Sequence, residues 1–221
     1  MSSPSIPEPL QSRPAEPRWQ RRKEDRPAEI TAAALKVFAE RGFAAARLED
    51  VAAQAGVSKA TIYLYFDSKA ELFKAVLAAE ALPRIGQMEA MIGGFDGPSA
   101  DLVRGLLAFA KSNLMGSPEL RKIVKTVMAE AGNFPELASY HLDTVVLRVL
   151  GNIQRIIERG IARGEFRPCD TLMTAQCIFG PVLLNALARE TFGDIPQFNP
   201  DRLLDTHVEF VLRGLAAEGA A

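Results

Sequence analysis

The sequence predicts an all-α fold of about nine helices. Three observations carry that prediction. Every segment with a clear apolar period repeats at three- and four-residue intervals, the spacing of one helix face. No segment alternates apolar and polar residues over a useful length, and no hairpin turn separates two apolar runs. Gly, Pro and Ser fall at the edges of the periodic segments, where helices start and stop. The chain has 221 residues, 48% of them hydrophobic and 24% charged. Those proportions are ordinary for a globular protein, and the length fits a small domain joined to a larger one.

The elements follow in order. Residues 1–17 hold five of the 14 prolines and almost nothing to bury, so they read as a disordered tail. Residues 18–26 carry five basic side chains and read as a flexible lead-in. A first helix is expected over 27–41, with Pro27 in its first turn, an apolar stripe of Ile30, Ala34, Val37 and Phe38, and Gly42 as its stop. A second is expected over 47–55, with Leu48, Val51 and Ala52 facing inward and Gly56 ending it. Ser58 suits the N-cap of a third helix over 58–65. Asp67 or Ser68 caps a fourth, from Lys69 to about Met91, which Pro83 is expected to kink or break. Helical periods continue over 99–115, 118–131, 135–163, 171–192 and 201–217. The expected organisation is a tail (1–17), a helix-turn-helix domain (18–74) and a larger helical domain (75–221).

The net charge is −1, so the chain is no polycation. Its distribution is uneven: residues 18–74 hold 11 Lys/Arg against 8 Asp/Glu, whereas residues 75–221 hold 14 against 17. The basic excess lies where a polyanion would be met. Two cysteines, Cys169 and Cys177, are too few for a disulfide-built domain and point to a reducing compartment. The longest apolar stretch, 171–188, is interrupted by Gln176, Gly180, Pro181 and Asn185, and reads as a buried helix, not a membrane span. A cytoplasmic location is expected.

The function-bearing run extends from Leu48 to Phe66. A short helix presents the small Ala52 to its neighbour, so two helices can cross closely. Gly56 takes the positive-φ position of a tight turn, Val57 packs the turn down, and Ser58 caps the helix that follows. On that helix Ile62 and Phe66 point inward, while Lys59, Thr61, Tyr63 and Tyr65 point outward. A face of hydroxyls, a lysine and aromatics suits phosphate and base-edge contacts in a DNA major groove. Lys69 is placed to reach a phosphate. Tyr65 has a second reading, packing against the first helix, and Leu64 is either a DNA contact or an idle surface site.

Residues 30–76 resemble the TetR family of bacterial transcriptional regulators. The matching features are Ala33, Phe38, Gly42–Phe43, Val51–Ala52, the run from Ala55 to Lys59, the run from Thr61 to Phe66, Ser68–Lys69 and Glu71–Leu72. The resemblance implies double-stranded operator DNA as partner and contacts from Arg47, Ser58, Lys59, Ala60, Thr61, Tyr63, Leu64, Tyr65 and Lys69. Two departures stand out. Ala60 replaces the usual glycine, which sets the recognition helix slightly further from the DNA backbone. Ala46–Arg47 replaces the usual hydroxyl pair, so the cap is lost, and the charge of Arg47 is expected to supply the phosphate contact.

The resemblance further implies that the remaining helices bind a small-molecule effector and form a homodimer. The segment 127–167, with Glu130, the run Phe134 to Leu137, and Gly164–Glu165–Phe166, loosely resembles AefR-like regulators. Helices over 171–192 and 201–217 carry more apolar surface than a monomer can cover, which fits a four-helix dimer interface. An effector pocket is expected to draw on Met88, Phe109, Asn113, Met128, Phe134, His141, Gln176 and Phe179, and to favour a largely apolar ligand. Most of these residues also read as ordinary core, and His141 as an internally satisfied histidine.

No metal site or cofactor is expected from two His and two Cys at these positions. Without a glycine-rich phosphate loop, nucleophile elbow or zinc-protease helix, an enzyme is not predicted. Three readings remain: a ligand-released repressor, a constitutive or architectural DNA binder, and a regulator switched by Cys169 or Cys177. A cavity of several hundred cubic ångströms favours the first and a solid core the second.

Overall fold

The computed structural model describes residues 18–217; the tail expected over 1–17 lies outside them. The described residues form ten α-helical segments and no strand, apart from a single β-bridge between Phe166 and Ala216. One π-helical turn lengthens a helix and another joins two, so the described residues run as nine helical rods.

Helix α1 (Arg18–Ala45) begins nine residues earlier than expected. The basic lead-in is helical, because Arg, Gln, Lys and Glu are good helix formers. Pro27 sits within this helix, and Thr31 Oγ1 donates to its carbonyl at 2.8 Å. Gly42 interrupts the helical dihedrals at φ 73°, where the chain turns towards α2. Ile30, Ala33, Ala34, Val37 and Phe38 form the buried stripe.

Helix α2 (Leu48–Ala55) buries Leu48, Val51 and Ala52 and ends at Gly56, φ 65°, whose N–H returns to the carbonyls of Ala52 and Ala53. Arg47 occupies the N-cap without a side-chain bond, as the missing hydroxyl predicts. Helix α3 (Lys59–Tyr63) is capped by Ser58, whose side chain accepts from the Thr61 N–H at 3.1 Å. Helix α4 (Lys69–Gly93) is capped by Ser68, which accepts from the Glu71 N–H. Pro83 lies inside α4 without ending it.

Beyond these come α5 (Ser99–Ala110), extended by a π turn at Lys111–Met115, and α6 (Pro118–Glu130). Helix α7 (Pro135–His141) continues through a π turn at Leu142–Val146 into α8 (Leu147–Ala162). Helices α9 (Thr171–Phe192) and α10 (Pro200–Leu215) complete the set.

The motif Gly164–Glu165–Phe166 acts as a corner. Glu165 accepts from the Ser99 N–H at the start of α5, and the Phe166 ring fills the space a Cβ on Gly160 would need. Arg167 N–H bonds the Leu215 carbonyl at 2.9 Å, tying this corner to the end of α10.

Two apolar cores result. The first is formed by α1–α3 and the start of α4, and is completed by Ile123 and Val127 of α6 and Leu137 of α7. The second gathers Met88, Leu106, Met115, Ile153, Ile157, Ile178 and their neighbours. Helix α4 serves both, with Leu72, Phe73, Val76 and Leu77 in the first and Met88 in the second.

Candidate functional site

The exposed surface of α3 is held out by buried Ile62, its one fully buried side chain. Lys59, Ala60, Tyr63 and Leu64 are exposed, Leu64 to 79%, the largest value among the exposed large apolar residues. Thr61 is half-buried, with Oγ1 2.8 Å from Ser58 Oγ. The helix ends at Tyr63, so Tyr65 lies beyond it, half-buried, and packs with Val57 and Phe66 against the first core.

Two cations on this surface already have partners. Lys59 Nζ meets Glu49 Oε1 at 2.7 Å, and that hydrogen bond lowers the Glu49 carboxyl below its usual range while raising the Lys59 ammonium above its own. Arg41 pairs with Asp50 at 2.6 Å, joining α1 to α2. Arg47 is exposed at the N-cap of α2.

Lys69 departs from its expected role. Its ammonium donates to the carbonyls of Phe43, Ala44 and Ala46 at 2.8, 3.2 and 3.0 Å, and lies 4.6 Å from the Phe43 ring centroid. Burial lowers its pKa. An ammonium has three donors, and all three hold the segment after the Gly42 turn, at the end of α1 and just before α2. The pattern Ser68–Lys69 therefore encodes a loop clamp.

Behind the first core lies an apolar cavity of about 480 Å³, bounded by α4 to α9. Met88, Phe109, Asn113, Met128, His141 and Phe179 line it. The expectation that Phe134 and Gln176 do so is corrected. Gln176 is exposed on α9. Phe134 turns the other way, edge-on to Phe43 at 4.7 Å between ring centroids. An apolar helical stripe has the same sequence pattern whether it meets a void or another helix, which is why this difference was hidden. Lining residues such as Leu77, Ala81, Arg84 and Ile85 on α4 went unmarked for the same reason.

Both π turns belong to the cavity wall, the first through Asn113 and Leu114 and the second through Leu142, Val145 and Val146. Met128 and Leu142 line the cavity yet remain 49% and 46% exposed, which marks its mouth between α6 and the second π turn. The polar wall groups are few. Asn113 donates to the Phe109 carbonyl at 3.0 Å, and Arg84 pairs with Glu80 at 3.0 Å. His141 is buried, and its Nδ1 has no partner. Burial lowers its pKa, so the ring is neutral at pH 7.

On α9 and α10, Leu172, Met173, Leu184, Phe192 and Phe210 are exposed, Phe210 to 72%. Helix α9 is long and apolar enough to cross a membrane by length and composition alone, but its other side packs into the second core. Both cysteines are free thiols, Cys169 partly buried and Cys177 exposed. No cluster of three metal-binding side chains occurs among the described residues.

Comparison with known proteins gives two family matches. Residues 30–76 match the bacterial regulatory proteins of the tetR family, and residues 105–216 match the C-terminal domain of AefR-like transcriptional repressors. The HTH-type transcriptional repressor NicS of Pseudomonas putida is 32% identical over 138 residues, covering 62% of this chain and 64% of that protein. The uncharacterized HTH-type transcriptional regulator YfiR of Bacillus subtilis is 26% identical over 163 residues, covering 71% and 76%. The crystal structure of the regulator FadR from Bacillus subtilis with stearoyl-CoA shares the fold at a TM-score of 0.74 and 23% identity, over 85% of this chain and 98% of that one.

Proposed function

Because the chain belongs to the tetR family of bacterial regulatory proteins, we propose that it is a homodimeric repressor released from a palindromic operator by a small, largely apolar ligand. One observation carries this reading. The chain pairs an exposed recognition face on α3 with an apolar cavity of about 480 Å³, and helices α4, α6 and α7 contribute to both the cavity wall and the core that supports α3. A cavity of this size costs packing stability. A constitutive DNA binder has no use for it, whereas an effector site does.

Lys59 and Arg47 are assigned to phosphates, and the face of Ala60, Thr61, Tyr63 and Leu64 to base edges. The exposed Leu64 and Tyr63 suit thymine methyl groups and neighbouring sugar or base edges. Ser58 acts by capping α3 and orienting Thr61. The apolar surface on α9 and α10 is assigned to the dimer interface, over 171–192 and 201–217. A symmetric dimer sets two recognition helices one DNA turn or a multiple apart. The stearoyl-CoA bound by the Bacillus subtilis FadR supports a ligand with a long apolar portion. Release requires that the ligand bind one arrangement of the two helices better than the other. The protein works in the cytoplasm, where the chromosome is.

Fluorescence anisotropy with DNA from upstream of the protein's own coding sequence tests the reading. Tight binding is expected, with loss of at least about tenfold in a Lys59→Ala, Tyr63→Ala double variant, and with release on addition of stearoyl-CoA as probe. Binding no tighter than to unrelated DNA overturns the DNA assignment. Failure of any apolar probe to alter tight binding overturns the ligand assignment alone.

A further inference from the structure

We propose that His141 is the specificity-determining anchor of the cavity, and that it selects apolar ligands bearing one uncharged oxygen, as in an alcohol, ketone, ester or thioester, over ionised acids and amines. The inference rests on the ligand-binding reading above and narrows it to a chemical class.

The cavity wall holds three polar side chains that could meet a ligand: Arg84, Asn113 and His141. Two are each held by a residue one turn earlier. The Arg84 guanidinium bonds both the carboxylate and the carbonyl of Glu80. Asn113 Nδ2 donates to the Phe109 carbonyl. The third is not. Among the described residues, five carry buried side-chain atoms without a hydrogen-bond partner, and His141 is the one of these on the cavity wall; its Nδ1 is sealed against the protein, which leaves Nε2, also without a partner, to meet a ligand.

An unpaired polar atom buried in apolar surroundings costs roughly 1–3 kcal/mol. With neither ring nitrogen bonded to protein, the Nε2 side of the ring is the one that can take a partner from the cavity. A neutral imidazole offers one donor and one acceptor, and either suits a hydroxyl, while the donor suits a carbonyl.

The same surroundings reject ions. A carboxylate or ammonium entering an apolar cavity loses its hydration and needs a counter-charge. Arg84 is already neutralised by Glu80. His141 is kept uncharged by burial. No other charged side chain lines the cavity.

The location gives the anchor a readout. His141 is the last residue of α7, and Leu137, one turn earlier, is buried in the core that supports α3. A ligand bound at His141 therefore bears on the helix that closes the DNA-binding unit.

Calorimetry on the full-length protein with 1-decanol, 2-decanone, decanoate and decylammonium tests this at neutral pH. The parent is expected to bind the alcohol and the ketone at least about tenfold tighter than either ion. His141→Leu, close in size and fully apolar, is expected to weaken the alcohol and ketone about tenfold and to erase the difference between them and an apolar probe, toluene. His141→Gln, which keeps a donor, is expected to restore part of the preference. If His141→Leu does not fold by circular dichroism, the comparison of His141→Gln with His141→Phe replaces it. Unchanged alcohol and ketone affinity in the apolar variants overturns the proposal, and so does decanoate as the tightest probe. Binding of all four probes without preference removes the His141 anchor but leaves the ligand-responsive reading. Binding of none removes both.

Discussion

The rings of Phe134 and Phe43 meet edge-on, their centroids 4.7 Å apart and their planes at 79°. Phe43 also packs edge-on against Phe73, and Phe73 against Phe38. A residue at the N-cap of α7 thus completes an aromatic cluster that otherwise belongs to α1 and α4. The next turns of the same rod, through His141 and Leu142, line the cavity. This rod, like α4, is a physical connection between the cavity and the helix-turn-helix core.

Phe134→Ala is expected to destabilise the protein by about 2 kcal/mol. That is below the cost for a fully enclosed Phe, because Phe134 is half-buried. Urea unfolding reads the loss. In anisotropy titrations the variant is expected to bind operator yet respond less to ligand. An undiminished ligand response would place the coupling elsewhere.

Glu49 holds the ammonium of Lys59, which the proposed function assigns to a DNA phosphate. Glu49→Gln removes the acceptor charge that holds the ammonium, so affinity for DNA is expected to rise several-fold at low salt. Lys59→Ala is expected to weaken binding similarly for all sequences and to reduce the salt slope by about one. Arg47→Ala is expected to do the same if its charge replaces the missing hydroxyl contact. Titrations at four salt concentrations separate these effects, and an unchanged slope in Arg47→Ala removes it from the phosphate set.

Lys69→Met keeps the aliphatic stem and deletes the clamp. Three carbonyls lose a charged donor, and a cost of about 2–3 kcal/mol in unfolding free energy is expected. Because the ammonium faces protein carbonyls, the salt slope of DNA binding is expected to stay the same. A slope that falls by about one would restore Lys69 as a phosphate contact.

His141 gives stability a pH dependence. Its folded pKa lies below the ordinary 6.5 because burial disfavours the charged ring. As pH falls through 6.5 the unfolded chain takes up a proton that the folded chain does not. The unfolded state is then favoured, so stability decreases below about pH 6.5 and is complete above it. His141→Leu is expected to flatten that part of the curve. Urea midpoints between about pH 5.5 and 7.5 in parent and variant give the comparison.

Much of this was readable from residue order. Gly56, Ser58 and Ile62 fix the turn, the cap and the inward side of α3 by local rules, and local rules act through neighbours in the chain. The helices over 99–115 and 171–192 follow from their apolar periods in the same way. Lys69 and Phe134 were misread because their partners, Phe43 and Ala46, lie more than twenty residues away, and no periodic signal reports so distant a contact. The cavity was only partly legible. Met88 and Phe179 face it while Phe134 faces a core, yet all three sit at similar apolar positions. Arg84 was missed because an i,i+4 pair with Glu80 resembles ordinary surface charge.

The two π turns, Lys111–Met115 and Leu142–Val146, have a bearing on descent. A π turn lodges more residues than the α turn it replaces, so it marks a place where the chain has slack. Losing one residue there tightens the wall without shifting the register of the helix beyond. Both places lie on the cavity, and neither lies in α1 to α4. On the proposed reading, descendants of this chain can change which ligand fits by a single-codon deletion while leaving α1 to α4 untouched.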